Sequence, residues 1–443
     1  MGTSRETKKR IQYKDDNKKK KGKTALIVIG SLVLLGGIAC AIALPLTYCC
    51  NCTSYTIKTN GDEKYFNIDD KKTLTGWKDG VQMGERDLAF FSHHYKELII
   101  PSRIYSIGDR AFFGSASFRD TTKPIQITFN LSEKFTTIGQ QAFSGCAGIT
   151  SLDFSKSDDL AINFIGSYAF NGCTLSTIKS GGNIQPLNTT GWGNVHVYGL
   201  ANIYSTPDYT SRCLYADGCG CLAYGTFAPT ESKTSIFSGA FYGCGGITNV
   251  DFSQNKAAIT TIGQYAFWDC ALKNIKEGNG IEKCELPSWG DMHVFAVKDS
   301  YTPNYTTNAL VNENCGCLAY GSFTPTNPST TTIGSQAFYG CAGITAIDLT
   351  QMPLLNDQSI NAIGAGAFQN CAGIQSYKFA DNQVINSNFT IGDFAFYGCN
   401  TSGKVIINND ISKANNLLEN KMVPASGSPT WMKSSQDFWE AKN

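Results

Sequence analysis

The stretch Ile138-Gly139-Gln140-Gln141-Ala142-Phe143-Ser144-Gly145-Cys146 contains the pattern IGxxAFxxC, which decides the fold. The full pattern occurs six times, beginning at Ile138, Ile165, Ile262, Ile333, Ile363 and Ile391. Two variants complete a set of eight, because Ile107 begins a copy that ends at Ser115 and Ile236 begins one in which Phe237 replaces the glycine. Successive isoleucines are 31, 27, 71, 26, 71, 30 and 28 residues apart. Self-similarity at such a period indicates a repeat architecture.

A second pattern, of apolar and polar residues in alternation, follows each nine-residue copy and is typical of a half-buried strand. After Cys146 the apolar positions are Ile149, Leu152 and Phe154. A unit of one turn and one strand cannot bury its apolar face alone, so the units must stack on one another. The predicted fold class is an α/β-type repeat solenoid of mostly short parallel strands with turns, preceded by one transmembrane helix.

The stretch Leu98-Ile99-Ile100-Pro101-Ser102-Arg103-Ile104-Tyr105-Ser106-Ile107-Gly108-Asp109-Arg110-Ala111-Phe112 resembles a whole coil of the BspA-like leucine-rich repeat proteins of bacterial and protist cell surfaces. Val423-Pro424, followed by Trp431 and Trp439, resembles the closing cap of many members. The resemblance covers about residues 95 to 440, apart from two insertions. It implies a leucine-rich repeat solenoid, surface exposure and a role in adhesion or recognition without catalytic residues.

The amino-terminal end predicts a membrane anchor. Residues 1–23 contain ten Lys or Arg and three acidic residues, and residues 24–48 contain no charged residue. Twenty-five residues form about 37 Å of helix, enough to cross a hydrocarbon core of about 30 Å. By the positive-inside rule the amino terminus is cytoplasmic and the rest extracellular, as in a single-pass plasma membrane protein. The alternative is a cleaved signal peptide, because Ala41-Ile42-Ala43 has a small-x-small form.

The remaining charge argues against a nucleic-acid partner. The chain carries 37 Lys and Arg and 36 Asp and Glu, so its formal net charge is +1. Since residues 1–23 carry +7, the other 420 residues carry 1 − 7 = −6. Phosphate binding needs a basic surface, and that part of the chain offers none.

The patterns divide the chain into five parts. A basic cytoplasmic tail is expected at 1–23 and the transmembrane helix at 24–48. An extracellular juxtamembrane segment with an N-terminal cap is expected at 49–94, and a C-terminal cap at 404–443. The solenoid between them, 95–403, contains insertions at about 179–235 and 276–332.

The two insertions are duplicates. Trp192-Gly193-Asn194-Val195-His196-Val197 returns as Trp289-Gly290-Asp291-Met292-His293-Val294, 97 residues later. Long loops in a compact array are usually functional or disordered, and aromatic residues favour an ordered surface. We expect two projections that pack as a pair, with tyrosines exposed and the tryptophans as either contact or private core residues. The candidate ligand-binding residues are Trp192, His196, Tyr198, Tyr204, Tyr209, Trp289, His293, Phe295, Tyr301 and Tyr305.

The chain has 17 cysteines, in three groups. The repeat cysteines are expected to form a buried file of thiols, because free Cys packs as a small hydrophobe. Cys49, Cys50 and Cys52 could link chains laterally. Disulfides are the default in an exported domain, and the insertions also hold enough soft ligands for a zinc ion. The candidate disulfide cysteines are Cys213, Cys219, Cys221, Cys284, Cys315 and Cys317.

No catalytic pattern accompanies the chain's four histidines, so no enzyme activity, cofactor or metal is predicted. The expected function is adhesion or recognition, with a surface protein or glycan of a host or neighbouring cell as the partner. The alternative is a structural envelope component cross-linked through the juxtamembrane cysteines. A third hypothesis, an enzyme housed in the insertions, would require His, Cys and acidic side chains clustered in a pocket.

Overall fold

Each nine-residue copy forms a two-residue strand at its isoleucine and a tight turn through its Ala-Phe pair, and a longer strand follows. The computed structural model describes residues 54–58, 63–78, 90–200, 207–210, 214–307, 309–326, 332–350, 362–379, 390–397, 399, 404–407, 430–433 and 438–442. These residues all belong to one compact unit, Cys52–Asn443.

The strands of the first three coils and of the segment before them are β1 (Ser54–Thr56), β2 (Phe66–Ile68), β3 (Thr73–Trp77), β4 (Glu97–Ile100), β5 (Ser106–Ile107), β6 (Ile125–Phe129), β7 (Thr137–Ile138), β8 (Ile149–Asp153), β9 (Phe164–Ile165) and β10 (Thr177–Lys179). The strands from the first insertion to the end of the second are β11 (Ile184–Pro186), β12 (Gly193–Leu200), β13 (Ala223–Phe227), β14 (Ser235–Ile236), β15 (Gly246–Asp251), β16 (Thr261–Ile262), β17 (Asn274–Lys276), β18 (Ile281–Lys283), β19 (Gly290–Val297) and β20 (Ala319–Phe323). The remaining strands are β21 (Thr332–Ile333), β22 (Ile344–Asp348), β23 (Ala362–Ile363), β24 (Ser376–Phe379), β25 (Thr390–Ile391), β26 (Lys404–Ile407), β27 (Thr430–Lys433) and β28 (Phe438–Lys442).

The longer strands form the main sheet, in three sections with the orders β1-β4-β6-β8-β10, β11-β12-β13-β15-β17 and β18-β19-β20-β22-β24-β26-β28-β27. Strands of successive coils pair in parallel, as β4 with β6 and β15 with β17 do. At the far end β28 pairs antiparallel with β26 and β27, so a hairpin ends the sheet.

A second, narrower sheet runs through the isoleucines of the repeat. Its strands pair in parallel in the orders β2-β3-β5-β7-β9, β14-β16 and β21-β23-β25. Ile107 pairs with Ile138, and Ile138 with Ile165. The sequence predicted one parallel sheet; the second arises because the isoleucine strand of each coil also lies against its neighbour. The glycine after the isoleucine permits this approach, since a Cβ at Gly139 would lie 2.5 Å from the Asp109 nitrogen.

The core lies between the two sheets, and one phenylalanine per coil stacks along it among buried aliphatic residues. Adjacent rings are nearly parallel, with Phe112 and Phe143 at 5.2 Å, Phe143 and Phe170 at 5.3 Å, and Phe338 and Phe368 at 4.9 Å between centroids. All are essentially buried, so the recurring apolar positions do face the interior as predicted. Burying a phenylalanine contributes about 1.5–3 kcal/mol by area alone.

The predicted solenoid of stacked parallel strands with turns is confirmed, but the α/β label is wrong for the described residues. They contain one five-residue α-helix, α1 (Phe90–His94), and one 3-10 turn, Ala116–Phe118. The coils return through turns because the Ala-Phe turn at each copy is too short for a helix. Positions 4 and 8 of the copies adopt left-handed backbone conformations, as at Gln141 with φ 54° and Gly145 with φ 77°.

The first coil has its own closure. Phe66 stacks on Trp77 with ring centroids 4.8 Å apart, and both contact Phe91. The Trp77 Nε1 donates a hydrogen bond of 3.1 Å to the Ser115 hydroxyl. Ser115 stands where most other copies have cysteine, and its hydroxyl supplies the hydrogen-bond acceptor that the Trp77 indole needs.

The predicted tail and transmembrane segment, residues 1–48, lie outside the described residues. In the part of the chain that the structure describes, no helix has the length and apolar character needed to span a bilayer.

Two phenylalanine substitutions in neighbouring coils test the stacked core. Phe368→Ala removes a fully buried ring that stacks on both Phe338 and Phe396, whereas Phe394→Ala removes one that is 43% exposed. We expect the first to lower the free energy of unfolding by about 3–5 kcal/mol and the second by less than about 1 kcal/mol. Urea unfolding followed by circular dichroism measures both, and equal losses would contradict the stack.

Candidate functional site

The two insertions are rungs of the solenoid. β12 pairs antiparallel with β13, and β13 pairs in parallel with β15 of the next coil. The second insertion repeats this arrangement, with β19 antiparallel to β20 and β20 parallel to β22. The expectation of two projections packing as a pair is therefore wrong, because each insertion completes the main sheet between its own neighbouring coils.

The insertion aromatics form the private core that the sequence left as one alternative. Trp192 contacts Tyr209 at 5.0 Å and Phe241 of the next coil at 5.8 Å between ring centroids. Trp289 makes the equivalent contacts with Tyr305 and Phe338, at 5.0 and 5.8 Å. Each insertion also adds one phenylalanine to the stacked core of the coils. Phe227 contacts Phe241 of the next coil, and Phe323 contacts Phe338, so the core continues through both insertions.

The expected exposure of the tyrosines is wrong for most of them. Tyr198, Tyr209 and Tyr305 are buried, and so is the remaining aromatic candidate of the second insertion, Phe295. Tyr301 is half-buried and donates a hydrogen bond of 3.1 Å to the Ala309 carbonyl oxygen. Spacing in sequence could not separate ring contacts inside an insertion from ring contacts with a ligand. Tyr204 lies outside the described residues.

The two aligned histidines lie on the outer face of the insertion strands. His196 is exposed and its ring lies 4.9 Å from that of Tyr224, while His293 is half-buried and lies 4.8 Å from Tyr320. Burial lowers the pKa of His293 and nearby Lys283 lowers it further, although Asp291 opposes the change. Both histidines therefore sit beside a tyrosine ring.

The repeat cysteines form the predicted buried file, and their thiols have a common partner. The Sγ of Cys146 donates to the Phe112 carbonyl oxygen of the preceding coil at 3.1 Å. The same contact recurs in four more coils, at Cys173, Cys270, Cys371 and Cys399. A thiol at this position packs as a small hydrophobe and also satisfies a buried carbonyl.

Four insertion cysteines are free thiols in the structure, namely Cys221, Cys284, Cys315 and Cys317, and Cys219 is buried. Among the described residues no group of three or more His, Cys, Asp or Glu side chains is placed to hold a metal ion. Cys213 and the juxtamembrane Cys49, Cys50 and Cys52 lie outside the described residues.

Each insertion bends the solenoid, because it separates neighbouring coils on one side only. The Phe170 nitrogen donates to Gly220 of the insertion, but the Gly172 nitrogen donates directly to Gly243 of the next coil at 2.7 Å. The second insertion acts likewise, since Phe267 bonds to Gly316 while Asp269 bonds directly to Gly340, at 2.6 Å. The coils therefore converge at positions 7 and 8 of the repeat, which lie on the inner side of the bend.

A groove of about 570 Å³ follows this inner side from Thr121 to Gln375. Each of several coils contributes a polar side chain to it, from the first residues of the main strand or from the position just before that strand. These polar side chains are at least partly exposed: Thr150, Ser176, Thr248, Lys273, Thr345 and Gln375. Backbone bonds hold the row rigid, as between the Gln375 nitrogen and the Thr345 oxygen at 2.9 Å.

Ion pairs on the outward face of the main sheet repeat three times. They join Lys179 to Asp153, Lys276 to Asp251 and Lys378 to Asp348 at 2.7, 2.8 and 3.0 Å. Each aspartate also accepts bonds from the turn after its strand. Partial burial raises the pKa of Asp251, but bonds from Lys276 and Ser253 outweigh it, so the pKa lies below its usual value.

A second cavity of about 360 Å³ adjoins the groove on the turn side. It is bordered by Arg119 near the first coil and Tyr397 of the last coil, which shows how strongly the array curves. Asp269 lines both cavities, and burial raises the pKa of its carboxyl to about 8. Sequence reasoning missed this residue. The available signal was its position, because five of the other six copies with a cysteine have glycine there, at Gly145, Gly172, Gly243, Gly340 and Gly398.

These features define a curved leucine-rich repeat solenoid whose inner face offers a long groove with a row of polar side chains. The BspA type leucine rich repeat region matches the chain in six copies, over residues 86–128, 124–192, 218–288 and 313–418. The chain belongs to this family, as its sequence resemblance predicted.

Three solved structures show similarity to the chain. A leucine-rich cell surface protein from Faecalibacterium prausnitzii is 14% identical, with 81% of this chain and 97% of that chain covered and a TM-score of 0.17. A leucine-rich repeat protein from Eubacterium ventriosum is 16% identical, with 84% and 96% covered and a TM-score of 0.20. The pneumococcal vaccine antigen PcpA is 13% identical, with 74% and 77% covered and a TM-score of 0.19. All three scores are low, so the family assignment depends on the repeat match.

A search of curated proteins finds no match to this chain. The matched family of leucine-rich repeat proteins is not known for catalysis.

The buried Asp269 carboxyl predicts an unusual pH dependence. Its pKa is about 8 in the folded protein and about 3.9 in the unfolded chain, so the folded state binds more protons between those values. This group therefore destabilises the fold as pH rises through that range, by up to about 1.4 kcal/mol per pH unit. We expect Asp269→Asn to remove that slope in urea unfolding at pH 5 and pH 8.

Asp251→Asn is the control for that measurement. The folded pKa of Asp251 lies below its usual value, so the stability that it contributes is present above about pH 4 and is lost only in more acidic solution. This variant should retain the slope of the unmodified protein between pH 5 and pH 8. Equal slopes in all three proteins would show that Asp269 is not buried.

Thiol burial gives a second prediction. Burial raises the pKa of Cys284 to about 11 and that of Cys146 to about 12, but Cys284 is half-buried and the other described thiols are buried. Thiolates are the reactive species, so iodoacetamide at pH 8 should label Cys284 first among these twelve cysteines. Peptide mass spectrometry gives the order. Faster labelling of Cys315 or Cys317 would contradict the packed insertion.

Proposed function

We propose that the chain is a membrane-anchored recognition protein whose inner groove binds a surface protein or glycan of a host or neighbouring cell. The groove carries this proposal, because it brings one polar side chain from each of several coils into a continuous row. A rigid array of this kind presents many contacts without an ordering cost on binding. Membership in a leucine-rich repeat surface-protein family supports repeat-mediated binding.

The binding surface proposed here differs from the one expected from the sequence. The insertion aromatics hold the coils together, and the groove takes over the binding role. The insertions still shape it, since Tyr224 and Gly225 of β13 line the groove beside Thr248 of the next coil. No catalytic step is part of the proposal.

Anchoring remains a proposal based on the sequence. The uncharged stretch 24–48, preceded by a basic tail, would place the solenoid outside the plasma membrane and the amino terminus in the cytoplasm.

A substitution that fills the groove tests the binding role. Thr345 is exposed and lines the groove, so Thr345→Arg adds bulk and charge there with little effect on the core. Gln264→Arg is the matched control, because Gln264 is also exposed but lies on a turn outside the groove. Cells that display the full-length chain are scored for attachment to neighbouring cells.

We expect Thr345→Arg to reduce attachment at least about tenfold, equivalent to about 1.4 kcal/mol of binding free energy, and Gln264→Arg to leave it unchanged. Surface labelling confirms equal display of the variants. Full attachment by Thr345→Arg would rule out the groove as the binding surface.

A further inference from the structure

Each insertion brings one of its cysteines beside the repeat cysteine of the next coil. The Sγ of Cys221 donates to the Tyr242 carbonyl oxygen at 3.4 Å, and the Sγ of Cys244 donates to the same oxygen at 3.9 Å. The two thiols also interact directly with each other. The second insertion repeats the arrangement at 3.6 and 4.0 Å, with Cys317, Cys341 and the Tyr339 carbonyl oxygen.

These two repeat cysteines differ from the rest of the thiol file. The other five donate to a phenylalanine carbonyl oxygen of the preceding coil. Cys244 and Cys341 instead bond to a tyrosine carbonyl oxygen of their own coil. The rung before each of them in the stack is an insertion, since β13 pairs with β15 and β20 pairs with β22. Each of the two thiols therefore faces a cysteine of an insertion.

The backbone at the insertion cysteines also points to a use for their thiols. Cys221 and Cys317 both have a φ of 70°, a left-handed conformation that none of the seven repeat cysteines adopts. Glycine is the residue that takes this conformation without strain. A residue with a side chain is retained there where the surrounding structure has a use for it. Both copies of the insertion retain cysteine.

The spacing of the backbone suits a disulfide bond. Cys221 and Cys244 each lie two residues before a strand, and these strands, β13 and β15, pair in parallel. Neighbouring strands lie about 4.8 Å apart. A disulfide joins Cα atoms that are about 4.4–6.8 Å apart, so a bond between these positions needs no large movement of the backbone.

We propose that Cys221 forms a disulfide bond with Cys244, and Cys317 with Cys341, while the exported chain folds. The thiolate of one cysteine attacks a sulfur of a small disulfide oxidant, such as oxidised glutathione, and one thiol of the oxidant leaves. The second cysteine then attacks the mixed disulfide and releases the other thiol. Each new S–S bond therefore reduces one oxidant to two thiols, which carry away the two cysteine protons.

Burial determines when these bonds form. All four thiols are buried in the folded chain. Burial raises the pKa of Cys221 and of Cys317 well above the usual value, and the neighbouring thiol raises each further. Because the thiolate is the reactive species, the folded chain offers little of it. The bonds therefore form as each insertion docks on the next coil, and the closed stack then shields them from reductants.

This inference rests on the anchoring part of the proposed function, because disulfides form in the oxidising compartments through which exported chains pass. It also adds to the binding part. Tyr224 follows Cys221 by three residues, Thr248 follows Cys244 by four, and both Tyr224 and Thr248 line the groove. The first bond thus fixes the insertion side of the groove to the coil side.

Disulfide mapping of the full-length chain tests the two pairs. Cells that display the chain are surface-labelled, their free thiols are blocked with N-ethylmaleimide, and the labelled chain is digested with pepsin without reductant. Acid suppresses thiol exchange, since few thiolates remain. We expect one linked peptide pair with Cys221 and Cys244 and another with Cys317 and Cys341, each released by reductant.

N-ethylmaleimide on these four cysteines, without linked peptides, overturns the inference. Only surface-labelled chain is mapped, so that result does not come from a failure of export. It also leaves the recognition proposal standing if Thr345→Arg still reduces attachment. Conversely, linked peptides together with full attachment by Thr345→Arg support the bonds and remove the groove as the binding surface.

The duplicated insertion supplies matched variants. Cys221→Ser should lose the first linked pair and keep the second, and Cys317→Ser should do the reverse. Cys284→Ser removes a half-buried thiol that belongs to neither pair, so it should keep both. A linked Cys244 in Cys221→Ser overturns the pairing, because another cysteine then forms the bond. The map of the unmodified chain decides the matter where a variant is not displayed.

Discussion

The whole structure depends on the inability of one coil to bury its own apolar face. Each coil contributes one isoleucine and one phenylalanine that become buried only when another coil lies against them. The stacked rings, the two parallel sheets and the thiol file all follow from that requirement. The segment from β1 to β3 and α1 covers the first coil with aromatic residues for the same reason.

The insertions show how the same constraint produces curvature. An inserted segment with a tryptophan, a tyrosine and a phenylalanine also has an apolar face, and it buries this face by entering the stack. It enters on one side only, so the coils on its two flanks still meet at Gly172 and Gly243. Curvature then brings side chains from distant coils together, which is how Asn171 comes to contact Asp269.

Much of this fold could be predicted from the sequence, and little of the site. Copies of IGxxAFxxC predict stacking because their spacing and apolar positions are local features. The roles of Trp192 and Tyr209 could not be predicted, because an aromatic residue has the same sequence signature in a private core and in a binding surface. Asn171, Trp268 and Asp269 come together only through the bends, although the loss of glycine at Asp269 marks one of them within the repeat.

Native-state hydrogen exchange tests the central claim, that the insertions are rungs of one continuous stack. The rungs at 214–227 and 310–323 bond to coils on both sides, as Gly218 does to Ile165 and Leu214 to Ala240. Peptides from these rungs should exchange as slowly as peptides from the coil at 138–154, because both then open only with the stack. Exchange of the rungs within seconds, while the coil stays protected, would contradict it.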